Sequence, residues 1–444
     1  MSSSTIAIII IVLAIISFVF EKIPLAMTAM IASLAMGICI PEINLSDVYS
    51  GFGSTTVMMV AGMCIVGNAL FETGMANKIG HAIGNSRLAK NERTFTMVIV
   101  VCCTIMSAFL SNSGTIAMWM PLIAAVSAKS NGLIRSKMVI MAAGIAAAIG
   151  GAGTLVGSGS QQIASSVLMG YEGYESGLGL FDETLVMVPL CLIMVVYFGT
   201  VGYTLTKKVL KPESSDFDKD NYFAEISNAA VNDTSKSIPA WKGRMSAITL
   251  VLCIVGFIIS SFPTFESYLN VGIVSLLGAT LLITTGCMPL KKTLAEMDWN
   301  TLIILGAAQG FAKGLDISGG GKVIADAILN LFGGQSASPI VLMAAGIVIT
   351  TVLTNFMSNS ALAAMMTPIY IEIARNLGIS PIPFVIAIGA VATNLACATP
   401  VGTPCMTQTI PAGYKYMDYV KIGGPLCVIL TIAAIFLCPI FYPL

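Results

Sequence analysis

Charge is scarce in this sequence. Asp, Glu, Lys and Arg together make up 10% of the 444 residues, and His81 is the single histidine. A soluble domain would carry roughly 25% charged residues. Apolar stretches of about 18 residues or more recur along the chain instead, and the mean hydropathy is +0.89. The composition therefore predicts an all-α polytopic membrane protein.

Several familiar chemical motifs are also missing. The sequence contains no GxGxxG, no GxxxxGK[ST] and no HExxH pattern. Residues 319–322 read GGGK, but neither Ser nor Thr follows the lysine, which indicates a polar turn rather than a phosphate loop. The eleven cysteines form no CxxC pair. Together with a net charge of zero, these absences disfavour a nucleotide-binding enzyme, a zinc site and a nucleic-acid partner.

Ten apolar segments are predicted to cross the membrane as helices. A charged linker at 206–243 contains KKVLKPESSDFDKDNYF and is too polar to enter lipid. It divides the chain into a first half, 1–205, and a second half, 244–444. The predicted spans are 5–20, 23–40, 54–71, 136–152, 183–205, 244–262, 267–286, 299–312, 382–398 and 418–441.

The basic residues predict an orientation in the membrane. If the N-terminus is outside, the outer connections contain only Lys313, Lys322 and Arg375. The other nineteen of the 22 Lys and Arg residues then lie inside, whereas the outer loops are acidic. This is a strong positive-inside asymmetry. We therefore predict a plasma-membrane protein with both termini outside and the central linker in the cytoplasm.

A thirteen-residue pattern occurs twice in the same frame. FLSNSGTIAMWMP covers Phe109 to Pro121, and FMSNSALAAMMTP covers Phe356 to Pro368. Further along each half a second pattern repeats, as GTLVGSG at 153–159 and ATPVGTP at 398–404. Two long gapless matches, each followed by a second match, argue against a chance origin.

The repeats predict an inverted architecture. Each half contains five of the ten crossings, an odd number, so the two copies lie in opposite orientations. Inverted repeats indicate alternating access, with the binding site where the copies meet. The uncharged segments around Ser-Asn-Ser, about 95–128 and 338–371, are predicted re-entrant helical hairpins whose open backbone is buried in protein. The second motifs are predicted to break the helices at about 136–169 and 382–410.

Each hairpin tip would bring two kinds of group to the centre of the membrane. A starting half-helix directs free N–H groups at an anion, and an ending half-helix offers carbonyl oxygens to a small hard cation. Ser107 and Ser111 lie one turn apart on the first arm, as do Thr354 and Ser358 on the second. These hydroxyls and the asparagine amides are candidate Na⁺ ligands. The alternative is that the small polar residues only mediate helix packing.

The paired Ser-Asn-Ser tips, each followed by a Val-Gly-[Ser/Thr] break, resemble the divalent anion/sodium symporter family, whose members carry dicarboxylates, citrate or sulfate. The resemblance spans nearly the whole chain, including GYKYMDYVKIGGPL at 413–426. It implies a homodimer in which a mobile transport domain moves like an elevator along a scaffold domain. It also implies Na⁺ as the coupling ion, with a small anion and the lipid bilayer as partners.

The resemblance assigns site residues in both halves. One Na⁺ site would use Ser107, Ser111, Asn112 and the backbone at Gly157. The other would use Thr354, the Met357 backbone, Asn359 and the backbone at Gly402. The substrate carboxylates would meet Ser111, Asn112, Ser113, Ser158, Ser358, Asn359, Ser360, Thr403 and Pro404.

The sequence departs from the family pattern at positions that shape the pocket. The third tip residue is Ser113 or Ser360, where the family often has threonine. The breaks are followed by GSQ at 159–161 and PCM at 404–406, where the family often has Pro-Pro-Asn. A C4-dicarboxylate is the first expectation for the substrate, with citrate and sulfate as alternatives.

Other functions compete with sodium symport. A Na⁺-independent dicarboxylate exchanger, or a transporter of another oxyanion such as arsenite, would share this architecture. An intramembrane enzyme is disfavoured, because the serines of GSGS at 157–160 have no nearby base and His81 lies in the basic inner loop. A channel is disfavoured because neither a filter motif nor a ring of charges is visible.

The placement of ionisable residues favours Na⁺ over protons. No Asp, Glu, Lys, Arg or His occurs in 94–128, 138–171, 338–371 or 384–414, the segments predicted to build the site. A dianion at this depth needs compensating charge, which bound cations would supply. Cys405 lies beside Thr403 and Pro404, so we also expect a thiol reagent to inhibit and substrate to protect.

Overall fold

The structure is a computed structural model that describes residues 1–75, 91–130, 133–211, 239–260, 262, 265, 268–332, 334 and 337–444. Within these ranges the chain forms helices, turns and irregular segments but no β-strand, which confirms the all-α prediction. Most of the predicted linker, at 212–238, lies outside the described residues, as does His81.

The helices follow one another along the chain with short connections. Their bounds are α1 Ser3–Phe20, α2 Leu25–Cys39, α3 Asp47–Ser50, α4 Thr55–Glu72, α5 Glu92–Ser107, α6 Asn112–Lys129, α7 Ser136–Gly150, α8 Gly159–Leu168, α9 Thr184–Gly199, α10 Val201–Leu210, α11 Ala240–Ser260, α12 Val271–Thr284, α13 Leu290–Ala295, α14 Trp299–Ile317, α15 Gly320–Leu331, α16 Pro339–Thr354, α17 Asn359–Asn376, α18 Ile382–Phe384, α19 Pro404–Thr407 and α20 Tyr416–Phe441. Helix α18 continues as a π-helix, Val385–Val391, and a 3₁₀ turn, Ala392–Asn394. Further 3₁₀ turns are Gly51–Gly53, Gly151–Gly153 and Ile410–Ala412.

Each predicted span coincides with a helix, but the helices differ in length. Among the described residues, five segments are long and apolar enough to cross a bilayer on their own: Ser3–Phe20, Asp47–Glu72, Ser136–Gly153, Ala240–Ser260 and Tyr416–Phe441. The pair α9 and α10, bent by 50°, counts as a sixth. Shorter apolar helices are Leu25–Cys39, Val271–Thr284, Pro339–Thr354 and Ile382–Asn394. At about 1.5 Å per residue they reach less than a 30 Å hydrocarbon core.

The sequence did not predict helix α15. It begins at a left-handed glycine, Gly319, and carries Lys322 and Asp326 among its apolar residues. With those charges the segment does not have the sequence pattern of a membrane span, although one face packs against its neighbours. The prediction of a polar turn at 319–322 holds only for Gly319, because Gly320, Gly321 and Lys322 form the first turn of this amphipathic helix.

One end of the molecule holds both termini. The Ser3 hydroxyl donates to the Glu42 carboxylate at 2.9 Å, and the Tyr442 hydroxyl donates to the carbonyl of Asp182. Further contacts at this end are the ion pairs Lys313–Asp47 and Arg375–Asp316, the hydrogen bond from Ser4 to Ser318, and the Arg375 guanidinium over the Tyr171 ring.

The opposite end carries the basic loops that the structure describes. Arg135 pairs with Glu92 at 3.0 Å, and Lys292 pairs with Glu72. The Tyr414 hydroxyl, just before α20, donates to the carbonyl of Lys137. At each end, charged side chains are thus joined in ion pairs.

The centre of the molecule is formed by the two interrupted helices rather than by the longest ones. Every residue of α7 is buried, and its alanines and glycines allow close approach of neighbouring helices. All seven residues of the π-helix 385–391 are buried as well. By contrast, most positions in α1, α11 and α20 are not buried although these helices are strongly apolar, as expected of a surface that faces lipid.

Candidate binding site

The first Ser-Asn-Ser sequence lies at a break between two helices. Helix α5 ends at Ser107, and α6 begins at Asn112 with Ser111 as its N-cap. The Ser111 hydroxyl accepts a hydrogen bond from the backbone N–H of Gly114 at 3.1 Å. Serine is favoured at this position because its side chain satisfies a free amide of the first turn. The cap fixes the direction in which α6 leaves the break.

The second Ser-Asn-Ser sequence repeats this arrangement. Helix α16 ends at Thr354, and α17 begins at Asn359 after the N-cap Ser358. The side chain of Ser358 makes no capping hydrogen bond, so the two tips differ in how their first turn is satisfied. Met357 lies between the helices, and its amide hydrogen-bonds to the carbonyl of Leu353 at 3.0 Å.

A hydroxyl contacts an asparagine amide at each tip. Ser107 Oγ lies 2.7 Å from Asn112 Oδ1, and Thr354 Oγ1 lies 2.7 Å from Asn359 Oδ1. Each hydroxyl also lies close to a carbonyl of the facing interrupted helix: Ala147 O at 2.7 Å in the first half, Thr393 O at 2.6 Å in the second. A hydroxyl has one proton, so it cannot satisfy both oxygens at once.

In the first half, the orientation of the Asn112 amide decides whether this excess of acceptors exists. The amide atom that faces Ser107 lies 2.7 Å from its hydroxyl, 3.2 Å from Ala147 O and 3.0 Å from Gly157 O. A nitrogen in that place would donate its two protons to two of these groups and leave the Ser107 proton for the Ala147 carbonyl, which removes the excess. An oxygen in that place would complete a cluster of four oxygens, which a small hard cation satisfies. The donor set fits Na⁺ in kind, because it is neutral and consists of oxygen.

Each helix break places a glycine against backbone carbonyls. A Cβ on Gly157 would overlap the carbonyl oxygens of Gly151 and Ser107, and one on Gly402 would overlap the carbonyl of Thr354. Threonines hold the breaks to the tips, because Thr154 donates to Ala108 O and Thr399 donates to Asn355 O.

The residues that follow the glycines have matching backbones. Ser158 has φ −139° and ψ 148°, and Thr403 has φ −138° and ψ 144°. Each precedes a new helix, but α8 begins at Gly159, whereas the four-residue α19 begins at Pro404, which has no N–H to offer. Apart from this difference, the two predicted Na⁺ sites are built alike, from one tip and one break each.

Some predicted substrate residues share one cavity. It has a volume of about 100 Å³ and contains Ser111, Gly157 and Ser158. The second tip reaches its edge, because a Cβ on Gly159 would lie 3.3 Å from Ser360 Oγ. The sequence did not predict four further lining residues: Cys64, Gln162, Asp298 and Thr301.

The other predicted residues lie elsewhere. Apart from Ser360 at its edge, the predicted substrate residues that do not line this cavity are Asn112, Ser113, Ser358, Asn359, Thr403 and Pro404. The Thr403 hydroxyl instead contacts Cys405 Sγ at 3.2 Å. Cys405 is 0% exposed, so a thiol reagent does not reach it in this conformation. Our expectation for Cys405 overlooked the first turn of α19, which turns the side chain inwards.

The second half also contributes an amide that sequence reasoning missed. Asn394 is fully buried, and its Oδ1 accepts a hydrogen bond from Ser158 Oγ at 2.9 Å. Asn394 is the only asparagine in the uncharged segment 384–414, and this feature of the sequence could have identified it as a candidate site residue. No group of three or more His, Cys, Asp or Glu side chains suited to a metal ion occurs among the described residues.

Known proteins place the chain in a family. The family model described as citrate transporter matches residues 15–389. An uncharacterized transporter of Haemophilus influenzae is 26% identical over 423 residues, covering 91% of this chain and 84% of its own. The sodium-dependent dicarboxylate transporter SdcS of Staphylococcus aureus is 24% identical over 423 residues, covering 87% and 76%.

Two solved structures share the fold. MtrF of Neisseria gonorrhoeae has a TM-score of 0.64 at 16% identity, covering 99% of this chain and 95% of its own. The YdaH transporter of Alcanivorax borkumensis has a TM-score of 0.61 at 14% identity, covering 91% and 88%. With the match to residues 15–389, the resemblance to dicarboxylate and citrate carriers is confirmed: this chain belongs to the citrate transporter family and is a multi-pass membrane transporter, not an enzyme.

Proposed function

We propose that this protein is a secondary active transporter that couples uptake of a small divalent anion to Na⁺. A C4-dicarboxylate is the first candidate substrate, and citrate and sulfate are alternatives. The observation that carries the proposal is the pair of matching tips, in which Ser107 and Asn112 repeat Thr354 and Asn359 at the same 2.7 Å distance. A relative named as a sodium-dependent dicarboxylate transporter supports it.

The anion would be held by helix N-termini and hydroxyls. Helices α6, α8, α17 and α19 begin at or beside the predicted site residues. Their N–H groups and dipoles favour negative charge, but each contributes only about half a unit. No lysine or arginine lines the cavity. The Asp298 carboxylate does line it, so cations that bind together with a dianion would bring the occupied site nearer to neutral.

Na⁺ would bind at the two clusters of tip and break. The first has Ser107, Asn112 and the carbonyls of Ala147 and Gly157. The second has Thr354, Asn359 and the carbonyl of Thr393, with Gly402 against the Thr354 carbonyl. Ser111 and Met357 complete the proposed ligands, the latter through its backbone.

We propose an elevator mechanism for the movement. The hairpins α5–α6 and α16–α17, with the interrupted helices beside them, would form the mobile domain, and the remaining helices the scaffold. The hairpins would be re-entrant, and the division at 206–243 would separate the two inverted repeats. The protein would work as a homodimer in the plasma membrane, with its termini outside.

Uptake into proteoliposomes tests the substrate assignment. Radiolabelled succinate, citrate and sulfate are presented in turn under an inward Na⁺ gradient, and unlabelled anions compete with the best of them. We expect succinate to accumulate and other C4-dicarboxylates to compete. Accumulation of none of the three would reject the proposed substrate class, and an arsenite arm then separates the oxyanion alternative.

A further inference from the structure

A chain of buried amides links the two proposed Na⁺ sites. Asn394 ends the interrupted helix of the second half, and Gln161 lies in the first turn of α8 in the first half. Asn394 Nδ2 lies 2.6 Å from Ala390 O in its own helix, 2.8 Å from Ser160 Oγ and 3.1 Å from Gln161 Oε1, and its two protons serve two of these acceptors at a time. Both amides are 0% exposed. The contact therefore crosses between the repeats in the core.

Gln161 continues the chain to the first site. Its Nε2 donates to Gly151 O at 2.7 Å and to Thr154 O at 2.9 Å. Gly151 lies directly under Asn112, because a Cβ there would overlap the Asn112 amide. The Gly151 carbonyl also faces Gly157, whose own carbonyl belongs to the oxygen cluster. Gln161 thus fixes two carbonyls of the break that carries Gly157.

Asn394 continues the chain to the second site through the backbone. The carbonyl that accepts the Thr354 hydroxyl at 2.6 Å belongs to Thr393, and it forms the peptide bond with Asn394. A shift of that carbonyl therefore moves the Asn394 backbone and, with it, the Asn394 side-chain amide. The preceding π-helix, 385–391, is a geometry often found at functional sites.

Helix packing alone does not account for these two residues. A buried amide is costly unless it is fully hydrogen-bonded, whereas leucine or methionine would fill the same volume without that requirement. Gln161 bonds to the carbonyls of Gly151 and Thr154, in the break that carries Gly157, and Asn394 contacts Ser160 and Gln161 of the other repeat as well as Ala390 of its own helix. We call the contact of Gln161 with Asn394 the bridge. Met406 occupies the place in α19 that corresponds to Gln161 in α8, so the described core contains this bridge once, without a copy related by the repeat.

We propose that Gln161 and Asn394 are positioning residues that couple the two Na⁺ sites, so that occupancy of one raises the affinity of the other. The inference rests on the proposed function and adds a mechanism for cooperativity. A cation at Thr354 and Asn359 orders the Thr393 carbonyl, which holds Asn394 and, through Gln161, the carbonyls around Asn112. The second cation then meets an ordered site and binds with a smaller entropic cost.

The bridge also touches the substrate cavity. Asn394 Oδ1 accepts from Ser158, which lines that cavity. Anion binding at Ser158 would therefore act on the same amide as cation binding. Coupling among the two Na⁺ ions and the anion would keep the transport domain from moving before all three are bound.

The test replaces each amide by an apolar side chain of similar size, in Gln161→Met and Asn394→Leu. Thr409→Val is the matched control, because it removes a buried 2.7 Å hydrogen bond to Tyr419 away from the bridge. Succinate uptake is titrated with Na⁺ in proteoliposomes. The melting temperature in detergent is titrated with Na⁺ alone, which reports binding without transport.

We expect wild type and Thr409→Val to show an apparent Na⁺ order of about two, and each bridge variant an order near one with several-fold weaker half-saturation. The double variant should resemble either single variant, since each substitution breaks the same bridge and the two effects therefore do not add. Variants that lose only maximal rate or yield but keep an order of two would overturn the bridge and leave the proposed function intact. A wild type whose uptake and melting both ignore Na⁺ would reject both.

Discussion

Thr354 Oγ1 lies 2.7 Å from Asn359 Oδ1, across the break between two helices. The pair Ser107 and Asn112 repeats this distance in the first half, where the sequence has serine instead of threonine. Both hydroxyls also face a carbonyl 2.6–2.7 Å away. The same contact between a hydroxyl and an asparagine amide thus occurs in two distant parts of the chain.

Removing either tip amide should abolish most transport. Asn112→Ala and Asn359→Ala each delete a group that contacts a hydroxyl and approaches a cluster of oxygens. We expect a loss of at least about tenfold in uptake, equivalent to about 1.4 kcal/mol, with yield and melting temperature little changed. Asn376→Ala is the control, because its amide contacts Asp326 at the periphery. Normal uptake by both tip variants would make the tips packing devices.

The break glycines should be intolerant of a methyl group. In Gly157→Ala and Gly402→Ala the new Cβ would overlap backbone carbonyls, which cannot move aside as a flexible side chain can. We expect the Na⁺ concentration for half-maximal uptake to rise by about tenfold or more. Gly424→Ala is the control, since a Cβ there meets no atom within 4 Å. Unchanged Na⁺ dependence in Gly157→Ala would remove the first site from its proposed place.

Cys64 should replace Cys405 as the target of a thiol reagent. Cys64 is half-buried and lines the cavity with Ser111 and Ser158, whereas Cys405 is fully buried. We expect a small methanethiosulfonate reagent to inhibit uptake, and substrate to slow the inhibition. Cys64→Ala should be resistant and Cys405→Ala as sensitive as wild type. The reverse pattern would mean that the cavity is not on the substrate path.

The sequence predicted the parts of this site that repeat. Asn112 and Asn359 were identifiable because each is the most polar residue of a long uncharged segment, and because the two segments match. The helix breaks followed from Gly157 and Gly402 for the same reason. The repeat identified these residues as candidate site residues, which composition alone would not have done.

The remaining site residues depend on tertiary contacts that have no internal repeat. Asn394 contacts Gln161 across 233 positions of sequence, and neither residue has an amide counterpart in the other half. Asp298 and Cys64 line the cavity from helices of the predicted scaffold, whose patterns look like ordinary membrane spans. The inward rotation of Cys405 depends on where the short helix α19 begins.

The topology should follow the separation of charges. A reporter fused after Leu444 should read as external, and one inserted near 216–232 as cytoplasmic. The reason is the sequence asymmetry of nineteen basic residues inside against three outside, together with the contact of Tyr442 with the Asp182 carbonyl in a predicted outer loop. A cytoplasmic reading at the C-terminus would contradict the proposed orientation.

The most direct test of sodium-coupled anion transport uses proteoliposomes without internal substrate. Labelled succinate is added outside, with Na⁺ or choline as the external cation at fixed pH. We expect uptake that rises steeply with Na⁺, with an apparent order of about two, and almost none in choline. Uptake that is equal in both salts, or that appears only when the vesicles are loaded with a dicarboxylate, would rule out Na⁺ symport and identify an exchanger.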